Sequence, residues 1–563
     1  MSVINVGRGM AVLSRRMMLG GTVSAACLAS WASQLHAADS LHSTVVETTA
    51  GKVSGRRVDG VTVFKGIPYG ETTAGVGRFR QPRACVPWTG VLAAVEDPPE
   101  APQRAPGIPP PSGAPSVLES VEPDWPRLAE SEDCLKLDVW TPASDNEKRP
   151  VMVWFHGGGF AVGSAAGLWQ DGGNLARHGN VVVVSVNHRL NALGHLFLDP
   201  LDEQFAGAGN AGLLDLVLAL TWVKDNIARF GGDPDNVTIF GQSGGGQKVS
   251  MLLAMPTAAG LFHKAIIQSG PAPKALQPAY AADMAQRLLA KLRIGRAEVR
   301  RLQQIPLAQI MSAYFQVFRE TGGYGVLGIL QGFAPVVDGR LLLQHPFQGQ
   351  APSTSADIPL LIGTTRTEMT LHTLLQDPGA DQMDEPGLQA RLQALFGADA
   401  RLVYDVYRTH HPSLSTWERY ALITSDWPTR LYSIWIAEQK ARLQRAAVFM
   451  YRTDWQTPVA GGKLLAPHAI DLSFALDDTA YSTSFDGGGP SVQRLSRRMS
   501  GSWLAFAHRG DPNIGAMPSW PRYEPDAGRA TMLYDRECRV VNDPDGADRR
   551  ELDRIMAKRL TAG

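Results

Sequence analysis

Residues 237–250, Val-Thr-Ile-Phe-Gly-Gln-Ser-Gly-Gly-Gly-Gln-Lys-Val-Ser, constrain this chain more than any other stretch. The apolar run 237–240 reads as a short buried strand. Gly241-Gln242-Ser243-Gly244-Gly245 follows, a G-x-S-x-G pattern, and then a helix-like run over 247–255 that Pro256 stops. Strand, sharp turn and helix, in that order, give the pattern its meaning. The turn lifts one hydroxyl, Ser243, above a sheet and aims the first helical N–H at whatever that hydroxyl attacks. Gly241 and Gly245 carry no Cβ, so helix and strand can approach closely around it. The plain alternative is a glycine-rich turn with an incidental serine, and the flanking strand and helix tell against it.

The rest of the chain is organised to suit such a centre. Residues 135–141, 151–155 and 180–186 read as strands, and the last is a β-branched apolar run that suits a central strand buried on both faces. Residues 213–230 read as a helix ending at Gly231-Gly232, and Asp233-Pro234-Asp235-Asn236 turns the chain into the strand before Ser243. Alternating strands and helices over 135–255 predict an α/β fold with a large, mostly parallel central sheet and helices on both faces. Residues 44–64 alternate polar and apolar around a turn at Asp59-Gly60 and predict an antiparallel edge at the N-terminus. Strand signals recur at 359–362 and 447–452. Helical stretches at about 280–320 and 385–445 are expected as cap insertions over the site. Residues 97–126, rich in proline and without periodicity, are expected to form a long surface loop at its entrance.

Length alone would allow about four domains, but a large α/β sheet accommodates 563 residues in one. A hydrophobic content of 44% supports an extensive core, and 54 basic residues cancel 54 acidic ones. No global field draws such a chain to nucleic acid or an anionic membrane. Ser14-Arg15-Arg16-Met17-Met18-Leu19 is a twin-arginine pattern, followed by a weakly apolar stretch and by Leu35-His36-Ala37, a small-residue cleavage site. Residues 1–37 are therefore expected to be a cleaved export signal and 38–563 a single domain, periplasmic or secreted, with no transmembrane anchor. Lipid attachment at Cys27 is the rival reading. Cys85, Cys134 and Cys538 remain after signal removal, an odd number. That allows at most one internal disulfide, for which Cys85–Cys134 is the first pair to test. No C-x-x-C pair or histidine cluster points to a metal.

The chemistry follows from what a serine hydroxyl needs. His156-Gly157-Gly158-Gly159 closes a strand, and bare backbone N–H groups there can crowd against an oxygen that becomes an anion. Ser243 needs an imidazole to take its proton and a carboxylate to orient that imidazole, and elbow proteins place them downstream as acid, then histidine. His263, His345, His372, His410, His411, His468 and His508 all lie downstream. A loop after a strand near the C-terminal end suits His468 best, whereas His508 sits in a helix-like run. Glu368 follows a strand on a short polar loop, and on the residues alone a solvated glutamate explains it equally well.

The chain resembles the type-B carboxylesterase/cholinesterase group of the α/β-hydrolase fold over nearly all of 44–525. The resemblance rests on Phe64-Lys65-Gly66-Ile67-Pro68-Tyr69, Arg78-Phe79, Ser131-Glu132-Asp133-Cys134-Leu135, Asn187-His188-Arg189-Leu190, Gly209-Asn210-Ala211-Gly212-Leu213-Leu214-Asp215, Phe230-Gly231-Gly232-Asp233-Pro234, Gln268-Ser269-Gly270, Trp503 and Phe506-Ala507. It implies Ser243 as nucleophile, Glu368 as acid and His468, in His468-Ala469-Ile470-Asp471-Leu472, as base. It implies the N–H groups of Gly158, Gly159 and Gly244 as the oxyanion hole, and Ser269 as a partner of the acid. It also implies a small-molecule ester substrate, an acyl-enzyme, and no cofactor or metal. Three positions depart from the family's pattern: Gln242 stands where glutamate is commoner, Gly244 where alanine is, and Met369 where glycine is usual. The family's disulfide from Cys134 to the preceding loop has no second cysteine between 85 and 134. The same triad could serve amides, carbamates or thioesters, and a binding protein without catalysis is a further class. Trp125, Tyr324, Phe333 and Trp427 are candidate pocket liners.

Overall fold

The computed structural model describes residues 43–104, 128–167, 170–322 and 329–561. The chain divides into Met1–Ser43 and Thr44–Gly563, and every element below belongs to the second unit. The export signal and Cys27 lie outside the described residues, as does most of the proline-rich loop.

Among the described residues thirteen strands form one sheet. β1 (Thr44–Glu47), β2 (Lys52–Val58) and β3 (Val61–Pro68) are antiparallel neighbours, with β4 (Val91–Ala93) alongside β2. The turn between β2 and β3 is Asp59-Gly60, both at positive φ, as the alternation predicts. β5 (Lys136–Thr141) pairs antiparallel with β3 and with β7 (Val182–Val186), and β7 runs parallel to β6 (Arg149–Phe155). From there β8 (Gly232–Gln242), β9 (Lys264–Gln268), β10 (Leu360–Thr365), β11 (Val448–Thr453) and β12 (Ala530–Tyr534) continue the parallel order. β13 (Arg539–Asn542) closes the edge antiparallel. Asp233–Asn236, read as a turn, lies within β8 as a break in register: Gly232 faces Arg149, and Val237 faces Val151.

Strand side chains alternate between two cores, which is why the central strands read as unbroken apolar runs. Val151, Val153 and Phe155 enter one core with Val182, Val184 and Ile239, whereas Met152, Trp154, Val183 and Phe240 enter the other. α1 (Ala211–Asn226) covers the first face, and its last turn tightens to a 3₁₀ helix before Gly231. Among the described residues the one stretch long and apolar enough to cross a membrane, Glu203–Phe230, is mostly buried in this core. α2 (Gly244–Leu252) follows β8 directly. α3 (Pro278–Leu292) and α4 (Leu307–Glu320) fill the first expected cap stretch and enclose a third core. α5 (Thr370–Gln376) is a short helix after β10.

The second expected cap stretch is helical too, as Glu385–Phe396, Ala400–His410, Thr416–Ser425 and Leu431–Arg442. Its location differs from the expectation. Leu388, Leu392, Phe396, Val403 and Tyr407 belong to the second core, and Ile434 and Ile436 pack into the first. These helices spend their apolar faces on the body of the protein rather than over the site.

Candidate active site

The chain passes from β8 to α2 through one residue, Ser243, at φ 57° and ψ −123°. That conformation costs a residue with a Cβ about 1–3 kcal/mol. Two bonds hold it: Ser243 N–H donates to Gln268 O at 2.8 Å, and Gln247 N–H donates to Ser243 O at 3.0 Å. The turn also needs bare backbone. A Cβ on Gly245 would run into Phe155 O, and one on Gly241 would stand 2.5 Å from the Gly245 carbonyl carbon. Ser243 opens onto a cavity of about 510 Å³.

The acid and the base arrive on two loops from adjacent strands. Glu368, buried, follows β10; its Oε1 accepts from Thr365 N–H at 2.8 Å, and its Oε2 meets His468 Nδ1 at 2.5 Å. His468, also buried, follows β11. The loops are stitched together. Thr367 N–H donates to Ala466 O (3.1 Å), Ala466 N–H to Thr367 Oγ1 (2.8 Å), His468 N–H to Glu368 O (3.3 Å) and the Thr370 hydroxyl to Leu464 O (2.6 Å). A carboxylate accepts only, so His468 carries its hydrogen on Nδ1 and the neutral ring presents a lone pair at Nε2. That Nε2 lies 3.1 Å from Nε2 of Gln242, the residue before Ser243. Among the described residues Ser243 Oγ makes no hydrogen bond.

Gly158 and Gly159, at φ 84° and 63°, line the cavity beside Ser243. Gly159 and Gly244 are in backbone contact, so that a Cβ on Gly244 would collide with Gly159. Among the described residues the N–H groups of Gly158, Gly159 and Gly244 donate to no protein acceptor. Beneath this loop the buried Lys248 donates from Nζ to His156 O at 2.8 Å. Burial lowers Lys248 to about 7. Burial, with Lys248 second, holds His156 and His188, stacked at 4.9 Å, well below the usual imidazole range.

Phe160, Tyr314, Phe318, Phe333, Leu371 and Leu375 give the cavity an apolar wall, with Gln247, Gln331, His372 and Gln376 interspersed. No Asp, Glu, Lys or Arg is among the described lining residues. His372 packs edge-on to His468 at 5.3 Å, and burial, then His468, lowers it to about 4, so it is neutral at pH 7. Under the His468 loop, Asp471 accepts from the Tyr451 hydroxyl at 2.7 Å; burial raises it to about 6.

The structure thus brings together Ser243, Glu368, His468, Gly158, Gly159 and Gly244. It does not join Ser269 to the acid. Ser269 N–H donates to Gly363 O at 2.8 Å, its hydroxyl has no partner, and Glu368 Oε1 is served by Thr365 instead. Among the described residues no disulfide forms: Cys85, Cys134 and Cys538 are free thiols, and Cys85 Sγ donates to Pro68 O. Of the candidate liners, Phe333 lines the cavity, whereas Trp427 is an ordinary core aromatic that packs against Phe396 and Tyr432 in the second core. Trp125 and Tyr324 lie outside the described residues. The other histidines are engaged elsewhere: His410 and His411 on Asp548, His345 on Ala275 N–H, His263 on Val237 N–H, and His508 on Gly179 O. Sequence reasoning did not find Gln247, His372, Tyr314 or Phe318 as part of the site. The spacing from Glu368 to His372, one helical turn, was the available signal for His372.

A family model described as the carboxylesterase family matches residues 42–548. The chain is 35% identical over 516 residues to a para-nitrobenzyl esterase of Bacillus subtilis, covering 90% of this chain and 98% of that one. It is 33% identical to a phenmedipham hydrolase of Pseudarthrobacter oxydans, covering 89% and 97%. Among solved structures, the carboxylesterase EST55 of Geobacillus stearothermophilus superposes with a TM-score of 0.76 at 36% identity, covering 90% of this chain and 99% of that one.

Proposed function

This chain belongs to the carboxylesterase family and has its α/β-hydrolase fold; from that premise we propose that it cleaves esters through an acyl-enzyme, using Ser243, His468 and Glu368. That it is a carboxylic ester hydrolase acting on small-molecule esters follows from the family. The assignment of roles is the proposal. Ser243 Oγ attacks the ester carbonyl while its proton passes to His468 Nε2, and Glu368 Oε2 holds the Nδ1–H of the imidazolium. The oxyanion is taken up by the N–H groups of Gly158, Gly159 and Gly244, each contributing about 3–4 kcal/mol to the transition state. His468 returns the proton to the leaving alcohol. Water, deprotonated by the same nitrogen, then releases the acid. A wall without charged side chains favours neutral esters.

One observation carries this reading: the His468–Glu368 pair, at 2.5 Å, touches the residue before a strained serine on the wall of a cavity rimmed by bare N–H groups. Ser243→Ala is expected to keep the fold and lose at least about a thousandfold in turnover of a p-nitrophenyl acyl ester. Full turnover by that variant would overturn the assignment. Labelling of native protein by a fluorophosphonate separates an enzyme from a binding protein. Residues 1–37 are read as an export signal on the strength of Arg15-Arg16 and the Leu35-His36-Ala37 site. The first residue of the protein recovered from the periplasm decides that reading.

A further inference from the structure

The nitrogen assigned to take the Ser243 proton is already occupied. An amide nitrogen donates and does not accept, and His468 Nε2 in the neutral ring accepts and does not donate. The 3.1 Å contact between them is therefore a hydrogen bond from Gln242 into the lone pair of the base. Both side chains are buried, so water does not weaken the bond by competition. Gln242 ends β8, one residue before the nucleophile, and among the described residues its side chain bonds only His468.

We propose that Gln242 is a positioning residue that latches His468 in its resting tautomer and must release Nε2 before Ser243 can be deprotonated. This rests on the assignment of His468 as the base. No proton is transferred to Gln242. The Gln242 N–H···Nε2 bond breaks, the Ser243 O–H proton moves to Nε2, and the oxygen forms its bond to the ester carbon. Once Nε2 is an N–H, the amide nitrogen, a donor facing a donor, is a mismatched neighbour. Gln242 thus favours the neutral imidazole. A glutamate, the commoner residue there, would favour the charged one, because a carboxylate accepts from imidazolium and cannot donate to imidazole. The other groups facing His468 are Glu368 from the loop after β10, Asp471 on its own loop and His372 from α5. None of the latter three is hydrogen-bonded to Gln242, so changing Gln242 leaves their contacts in place.

The test is the pH profile of kcat/KM for a p-nitrophenyl acyl ester, measured on native protein, Gln242→Met and Gln242→Glu, with Tm recorded for each. Methionine keeps the length and removes the donor; glutamate keeps the shape and reverses the polarity. The midpoint of the acid limb is expected to rise by about half a pH unit or more in Gln242→Met, and further in Gln242→Glu. A purely structural role would lower the plateau and leave the midpoint where it was. Acid limbs in both variants that coincide with the native one overturn the proposal, whatever the plateau does. If Gln242→Met fails to fold, the near-isosteric Gln242→Glu gives the same reading. A native profile with no acid limb overturns the base assignment itself, and the latch with it.

Discussion

A residue at φ 57° with a Cβ has to be worth its strain, and Ser243 is held there by bonds to Gln268 and Gln247 rather than by any preference of its own. Its neighbour Gly244 shows how closely such a site is drawn. Alanine at 244 would gain about 1 kcal/mol in helix propensity, yet its Cβ would meet the backbone of Gly159, which cannot yield without moving an oxyanion donor. Overpacking costs about 1–3 kcal/mol and a displaced donor about 3–4 kcal/mol in the transition state. Gly244→Ala should therefore lose stability on balance and lose kcat by about a hundredfold, measured by thermal unfolding and steady-state kinetics. A variant with native kcat would show that the loop relaxes freely. The departure at 244, legible only as a substitution in the sequence, is a packing statement in the structure.

The acid and base loops form one unit although about a hundred residues separate them. Besides the Glu368–His468 side-chain pair, four hydrogen bonds join 367–370 to 464–468, and Thr367 contributes two of them, through its N–H and its Oγ1. Thr367→Val removes the acceptor for Ala466 N–H and should cost about 1–3 kcal/mol. It should also lower kcat more than it changes KM, since Glu368 and His468 lose their mutual register while the cavity wall is untouched. A fall in Tm with native kcat would mean the loops hold the pair without this bond. The elements themselves were unevenly legible. β7, all Val and Ser and buried throughout, announces itself by composition. α5 does not, because about two turns are too short for a periodic signal, although it supplies Leu371, His372 and Leu375 to the cavity. The helices over 385–445 were legible as helices, and their placement was not. An amphipathic face says that something is covered and is silent on what covers it.

At the scale of the whole molecule, Lys248 is a group whose charge is at odds with its surroundings. It is fully buried beneath the glycine loop, and among the described residues the hydrogen bond of its side chain is to a carbonyl. Burial lowers it from 10.5 to about 7. Between those values the unfolded chain binds a proton that the native protein does not, so this residue's contribution to stability is lost as pH falls from about 10.5 to about 7. Lys248→Met removes that dependence. The Tm of the variant minus that of the native protein should become more positive between about pH 9.5 and about pH 7; an equal difference at both would count against the burial of this charge. The sequence by itself determined the local grammar: a strand, a one-residue turn and a helix around Ser243, a β-branched centre, an antiparallel edge. Local sterics and side-chain periodicity dictate these, and they act within a few residues. Tertiary structure alone decided that Thr365 rather than Ser269 serves the acid, that the thiols stay apart, and that Gln242 sits on the base. The Gln242–His468 contact, and the lack of one between Ser269 and Glu368, involve segments far apart in the chain, set by how the sheet orders its strands and not by spacing along it.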